Sequence, residues 1–143
     1  MIKHLFFTFL FIFSCISLSA HQTGYSNINY DTLKNKSPEE IVQQQLEYYN
    51  ARDIDGFMST YAADVILYEF PATIIVSGQE AMRKRYQTMF SNTPDLFCEI
   101  KKRILIGSKV IDHEYVLKNG TYINAVAIYE VKDGKITSVT FIR

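Results

Sequence analysis

The sequence predicts an α+β fold: a cone-shaped domain over residues 37–143, with N-terminal helices packed on a curved, mostly antiparallel sheet that encloses a pocket. Three observations carry this expectation. Helical periodicity with recognisable caps fills the first part of the stretch, and alternating strands fill the rest. Asn119-Gly120 and Asp133-Gly134 are tight-turn pairs that force consecutive strands into a meander, with Gly107-Ser108 marking a further turn. Three short helices cannot fill the concave side of a long sheet, so a cavity is left between the layers.

The chain opens Met1-Ile2-Lys3-His4 and continues with an apolar run over residues 5–13. A positive start before a brief apolar run is the pattern of a secretory signal, and the run is shorter than the roughly 20 residues a bilayer span needs. Residues 1–20 are read as a signal peptide that exports the domain to the periplasm or the medium. Cleavage after Ser19 or Ala20 is one route. The other treats Ile12-Phe13-Ser14-Cys15 as a lipobox-like stretch, with a lipid anchor at Cys15. Residues 21–36, polar and without period, read as a tether.

Ser37 caps the first helix, Pro38 takes its first position and Glu40 closes a capping box. Ile41, Val42, Gln45, Leu46 and Tyr49 then share one face. Asn50-Ala51-Arg52-Asp53 breaks that helix, and Asp53 caps a short second one carrying Ile54, Phe57, Met58 and Tyr61 inward. Strands are expected at 64–70, ended by Pro71, and at 73–76. Ser77-Gly78-Gln79-Glu80 reads as another capping box before a third helix, whose apolar side is Met82, Tyr86, Met89 and Phe90. Strands at 96–106, 109–117, 121–131 and 135–143 complete the domain.

Composition narrows the function classes. Lys plus Arg and Asp plus Glu are equal at 15 each, without a basic stripe, which argues against nucleic acid as a partner. Ten Tyr and ten Phe, with no Trp, suit walls that are part core and part pocket. Once Cys15 is removed or lipidated, Cys98 stands alone, so neither an intrachain disulfide nor a cysteine metal cluster is expected. On the apolar face of a strand, Cys98 reads as a small core residue. One domain histidine and scattered carboxylates give no metal site, and neither a Gly-rich phosphate loop nor a Gly-x-Ser-x-Gly nucleophile occurs. No cofactor is expected.

Certain phrases add a likeness. They are Tyr49-Asn50-Ala51-Arg52-Asp53-Ile54-Asp55-Gly56-Phe57, Tyr61-Ala62-Ala63-Asp64-Val65, Ser77-Gly78-Gln79-Glu80-Ala81-Met82-Arg83 and Ile128-Tyr129-Glu130-Val131-Lys132-Asp133-Gly134-Lys135-Ile136. With the order of elements, they make the domain resemble the nuclear-transport-factor-2-like superfamily in its SnoaL-like branch, which includes ketosteroid isomerases, scytalone dehydratase and polyketide cyclases. Val110-Ile111-Asp112-His113-Glu114 is similar to a bacterial subgroup labelled steroid delta-isomerase. The resemblance implies a small apolar ligand of steroid or polyketide type. It also implies a homodimer paired through the outer sheet face, with Tyr68, Val126 and Ile128 as candidates. The isomerase mechanism needs a carboxylate base and an oxyanion hole made of a tyrosine and a protonated aspartate. The resemblance places the base at Glu69. It places the tyrosine at Gln45 and the protonated acid near Ala127, both departures. Loss of one oxyanion-hole donor costs on the order of 10²–10³ in rate.

The candidate residues follow from these two readings. Alternation puts Glu69 beside Val65 and Leu67. Facing the helices it is a base of raised pKa, while at the strand end it is a solvated carboxylate. His113 alternates with Ile111 and Tyr115, with Asp112 and Glu114 on the other side. It reads as a pocket acid–base partner or as a satisfied core histidine. Gln45 serves a ligand carbonyl or a buried polar group. Tyr49, Tyr61, Tyr86 and Tyr129 offer hydroxyls, Phe57, Phe90, Val139 and Phe141 offer apolar walls, and Arg143 either gates the pocket or sits in solvent. The expected activity is proton transfer of isomerase, cyclase or dehydratase type, with Glu69 as base and His113 or Gln45 as polar partner. The alternative is a non-catalytic binding or dimerisation module.

Overall fold

The computed structural model describes residues 36–143. The stretch expected to be a signal peptide, Cys15 within it, and all of the expected tether but its last residue lie outside the described residues. Helix α1 (Pro38–Ala51) starts with the expected box: Ser37 Oγ accepts from the Glu40 N–H, and the Glu40 carboxylate accepts from the Ser37 N–H at 2.7 Å. It stops at Arg52, which takes a left-handed φ of 56°. Asp53 caps α2 (Ile54–Ser59), its Oδ1 accepting from the N–H groups of Asp55 and Gly56. Strands β1 (Tyr61–Glu69) and β2 (Thr73–Ser77) precede α3 (Gln79–Asn92). Strands β3 (Phe97–Ile106), β4 (Lys109–Lys118), β5 (Thr121–Lys132) and β6 (Lys135–Ile142) follow. Two local expectations change. Tyr61 begins β1 instead of extending the helical face. Ser77 stays in β2, so Gly78 takes the N-cap of α3 at φ 81°, a region open to glycine, and no side chain caps the helix.

The six strands form one mixed sheet in the order β2-β1-β6-β5-β4-β3. Strand β1 runs parallel to β6, and every other pair is antiparallel. Helix α1 packs on β3, β4, β5 and β6, and α3 on β1 and β2, so all helices cover one side of the sheet. The core lies between, with Val42, Phe57, Val65, Met82, Val110 and Val139 fully buried. No helix among the described residues is long and apolar enough to cross a membrane.

Three polar clasps fix the sheet around that core. The Asp95 carboxylate accepts from the N–H groups of Asn119 and Gly120 at 2.9 and 2.6 Å, bracing the β4–β5 turn, and these bonds hold its carboxyl below the usual range. Arg103 on β3 donates through Nε and Nη2 to the two oxygens of Asp112 on β4, at 2.8 and 2.7 Å, and through Nη1 to Gln43 Oε1 on α1. Asn50, near the end of α1, donates to the Cys98 carbonyl at 2.9 Å and accepts from the Cys98 N–H at 2.8 Å. The two Asn50 bonds fasten α1 to the edge strand β3. At about 1 kcal/mol each, Asn50→Ala is expected to lower stability by about 2 kcal/mol in urea unfolding, and an unshifted midpoint would show the clasp to be idle.

Candidate functional site

Strand β4 decides where the chemistry sits. Its inward side carries Val110, Asp112 and Glu114, all buried, and its outward side carries Ile111, His113 and Tyr115. This reverses the expected phase. His113 is exposed on the outer face, with Nε2 3.3 Å from Asn124 Oδ1 of β5, so it is not in the pocket. The sequence misleads here because an isoleucine and a tyrosine look like the buried set, whereas the buried set holds two acids. Each acid is answered from inside. Asp112, 1% exposed, is satisfied by Arg103, and Glu114, 8% exposed, is met by Tyr129.

Tyr129 Oη donates to Glu114 Oε1 at 2.8 Å. The other carboxylate oxygen has no protein partner among the described residues and is not sealed from the cavity. Burial pushes the Glu114 carboxyl up to about 7. The Tyr129 bond opposes the rise, the Asp112 charge adds to it, and Arg143 and Arg103 oppose it. Near neutrality both protonation states are therefore populated. The hydroxyls around it behave oppositely. Burial, reinforced by the Glu114 charge, lifts Tyr61 and Tyr129 well above the ordinary tyrosine range and Tyr86 to about 12, so all three remain proton donors.

These groups line a cavity of about 150 Å³ between α1, α3 and the sheet. Its floor is Gln45, Tyr61, Tyr86, Cys98, Glu114 and Tyr129, all buried. Burial keeps the Cys98 thiol protonated. Leu46, Met89, Val116 and Phe141 form half-buried walls, and Arg85, Lys118 and Arg143 also line the cavity. Gln45 stands beside the Tyr61 hydroxyl, partly offsetting the effect of its burial.

The structure gathers Gln45, Tyr49, Tyr61, Tyr129 and Phe141 around this volume. Phe57, Phe90 and Val139 lie behind the lining, in the core. Phe57 stacks tilted against Tyr86 at 4.6 Å and Tyr61 at 5.1 Å, and Phe90 meets Tyr49 edge-on at 5.6 Å, so they brace the tyrosines instead of touching the cavity. Glu69 does not line the cavity. It is the last residue of β1, its side chain is 35% exposed, and it pairs with Arg143 at 3.3 Å. The solvated strand-end reading therefore describes Glu69, and the proposed pairing of Glu69 with His113 has no shared volume. Sequence reasoning missed Glu114, Arg85 and Lys118. The signal for Glu114 was Val110 and Val116 at even spacing from it along one strand.

The SnoaL-like domain family matches residues 42–139. The chain belongs to this family. Solved structures agree on the fold of this SnoaL-like domain. An uncharacterized cystatin-fold protein from Novosphingobium aromaticivorans superimposes with a TM-score of 0.72 at 25% identity, over 76% of this chain and 99% of that one. A candidate polyketide cyclase from Sinorhizobium meliloti gives 0.63 at 18% identity, over 71% and 93%. A candidate ketosteroid isomerase from Kribbella flavida gives 0.64 at 17%, over 73% and 76%. No curated protein matches the chain. Within the SnoaL-like fold, Ala127 on β5 is fully buried opposite Asp112, and Glu114 on β4 lies opposite Ala125. A buried carboxyl is thus present, one strand away from where the resemblance looked for it.

Proposed function

We propose that the SnoaL-like pocket moves a proton on a small unsaturated ring carbonyl, with Glu114 as the group that takes and returns it. The observation that carries this reading is a buried, cavity-lining carboxyl with one oxygen without a protein partner among the described residues, whose burial pushes its pKa up to about 7. A general base works best when its pKa lies near the operating pH. In a β,γ-unsaturated ketone, ionised Glu114 would remove the proton between the carbonyl and the double bond. The enolate oxygen would accept from a tyrosine hydroxyl, Tyr61 or Tyr86, and protonated Glu114 would return the proton at the γ-carbon. The cavity of about 150 Å³ limits the enclosed part of a ligand to one six-membered ring, since drug-sized pockets span roughly 300–1,000 Å³. A steroid or polyketide would enter by one ring only.

The test is conversion of 3-cyclohexen-1-one to its conjugated isomer, followed by ultraviolet absorbance. Wild-type protein is expected to accelerate it, and Glu114→Gln to reduce the rate by about 10²–10⁴-fold with the fold intact. An unchanged rate in that variant removes Glu114 from the chemistry. Ligand binding without any turnover would favour the non-catalytic binding module. The reading keeps two further expectations, export through residues 1–20 and pairing of two copies through the half-buried outer-face residues Tyr68, Val126 and Ile128. Sedimentation that finds only monomer removes the second.

A further inference from the structure

Three cations line a cavity whose interior holds one titrating acid and is otherwise aromatic, aliphatic or neutral polar. Arg85 and Lys118 have no carboxylate within 4.0 Å among the described residues, while other surface cations such as Arg83, Lys101 and Lys109 do. Asp95, which reaches the two residues after Lys118, spends both oxygens on the Asn119 and Gly120 amides. Arg143 leans over the Phe141 ring at 5.2 Å and pairs at 3.3 Å with the partly exposed Glu69, a weak, exchangeable pair. The three come from α3, the end of β4 and the residue after β6, so the fold draws them together from separate parts of the chain. Two cations without a carboxylate partner among the described residues and a third in an exchangeable pair, beside a largely apolar, ring-sized cavity, recognise a molecule with two unlike ends.

We propose that the ligand is a small ring carboxylate, its ring seated in the cavity and its carboxylate held outside by Arg85, Lys118 and Arg143. This rests on the pocket being a small-molecule site and names the ligand class it takes. Facing inward, the anionic end would leave water and the cations to lie beside the buried Glu114 carboxyl, so the cations also favour which end of the molecule enters. A neutral ring of the same shape fills the cavity but leaves Arg85 and Lys118 to water and Arg143 to its pair with Glu69.

The experiment compares benzoate with benzamide, near-isosteric rings that differ in charge, titrated into the full-length protein and followed by NMR at Tyr86, Cys98 and Glu114. Benzoate is expected to bind about tenfold tighter. Arg85→Ala, Lys118→Ala and Arg143→Ala are each expected to lower the benzoate-to-benzamide ratio by about twofold to fivefold, and the triple variant to bring it to about one. Added salt should lower the ratio in wild type and not in the triple variant. Equal affinities in wild type, or a preference that survives the triple variant, overturns the proposal, as does failure of both rings to shift any cavity resonance. The enone assay is independent of this outcome. Turnover without carboxylate preference overturns only the ligand class, and carboxylate preference without turnover overturns only the proton transfer.

Discussion

Glu114→Gln is expected to be more stable than wild type at pH 8, by on the order of 3 kcal/mol, and nearly equal to it at pH 4. The folded Glu114 carboxyl titrates at about 7 against an ordinary 4.5, chiefly because burial penalises its charge. A raised acid binds its proton more tightly in the folded state. Its contribution is therefore fully present below about 4.5 and is lost as the pH rises through about 7. Raising the carboxyl from 4.5 to about 7 corresponds to about 3 kcal/mol, since a tenfold change in proton affinity is worth about 1.36 kcal/mol. Glutamine has the same shape, can still accept from Tyr129 Oη and carries no charge to bury. Other acids, Asp95 and Glu130 among them, are held below the usual range and make the protein less stable as the pH falls, so the measurement is the difference between variant and wild type in urea at each pH. A difference that stays constant from pH 4 to 8 would mean that Glu114 titrates as an ordinary carboxyl and could not act as a base near neutrality. A gain of that size would support the proposed role, because a side chain that lowers stability at neutral pH while lining the cavity fits ligand chemistry better than folding.

The elements were legible because their punctuation is local. The Ser37 box, the Asp53 cap and the turns at Asn119-Gly120 and Asp133-Gly134 act within a few residues of themselves, and each appears as expected. Lining residues on helices were legible for the same reason, since helical spacing ties Gln45 and Tyr49 to the buried face that begins at Ile41. The phase of β4 was not. In Val110-Ile111-Asp112-His113-Glu114-Tyr115-Val116 both faces contain apolar residues, and a shift of one reverses every side chain. What selects the true phase is non-local: Arg103 on β3 neutralises Asp112, and Tyr129 on β5 satisfies Glu114. Glu69 illustrates a related limit. Alternation along β1 keeps it on the side of Val65 and Leu67 while Pro71 puts the strand end close by, and only the sheet decides between the two readings, setting Glu69 at the strand end beside Arg143 and partly open to solvent.

Asp112→Asn is expected to cost about 3–5 kcal/mol in urea unfolding, opposite in sign to Glu114→Gln two residues away. The two acids share one side of β4, but Asp112 is 1% exposed and chelated by a guanidinium that is itself largely buried. Asparagine keeps one acceptor oxygen but turns an NH2 group toward the guanidinium and leaves the largely buried Arg103 charge without its counter-charge. The same substitution reaches the site. Removing the Asp112 charge takes away one cause of the raised Glu114 carboxyl, and the unpaired Arg103 favours its ionised form, so Glu114 is expected to titrate below its wild-type value of about 7. Arg103→Met reverses the balance. It leaves Asp112 unneutralised and is expected to move Glu114 upward. Carbon-detected NMR of the Glu114 carboxyl reads both shifts directly, and does so in whichever variant remains folded. Movement of Glu114 in the same direction in both variants would sink the electrostatic coupling between the pair and the site. Opposite movements would establish that the Arg103–Asp112 clasp, besides joining β3 to β4, sets the pH at which the cavity carboxyl can exchange a proton.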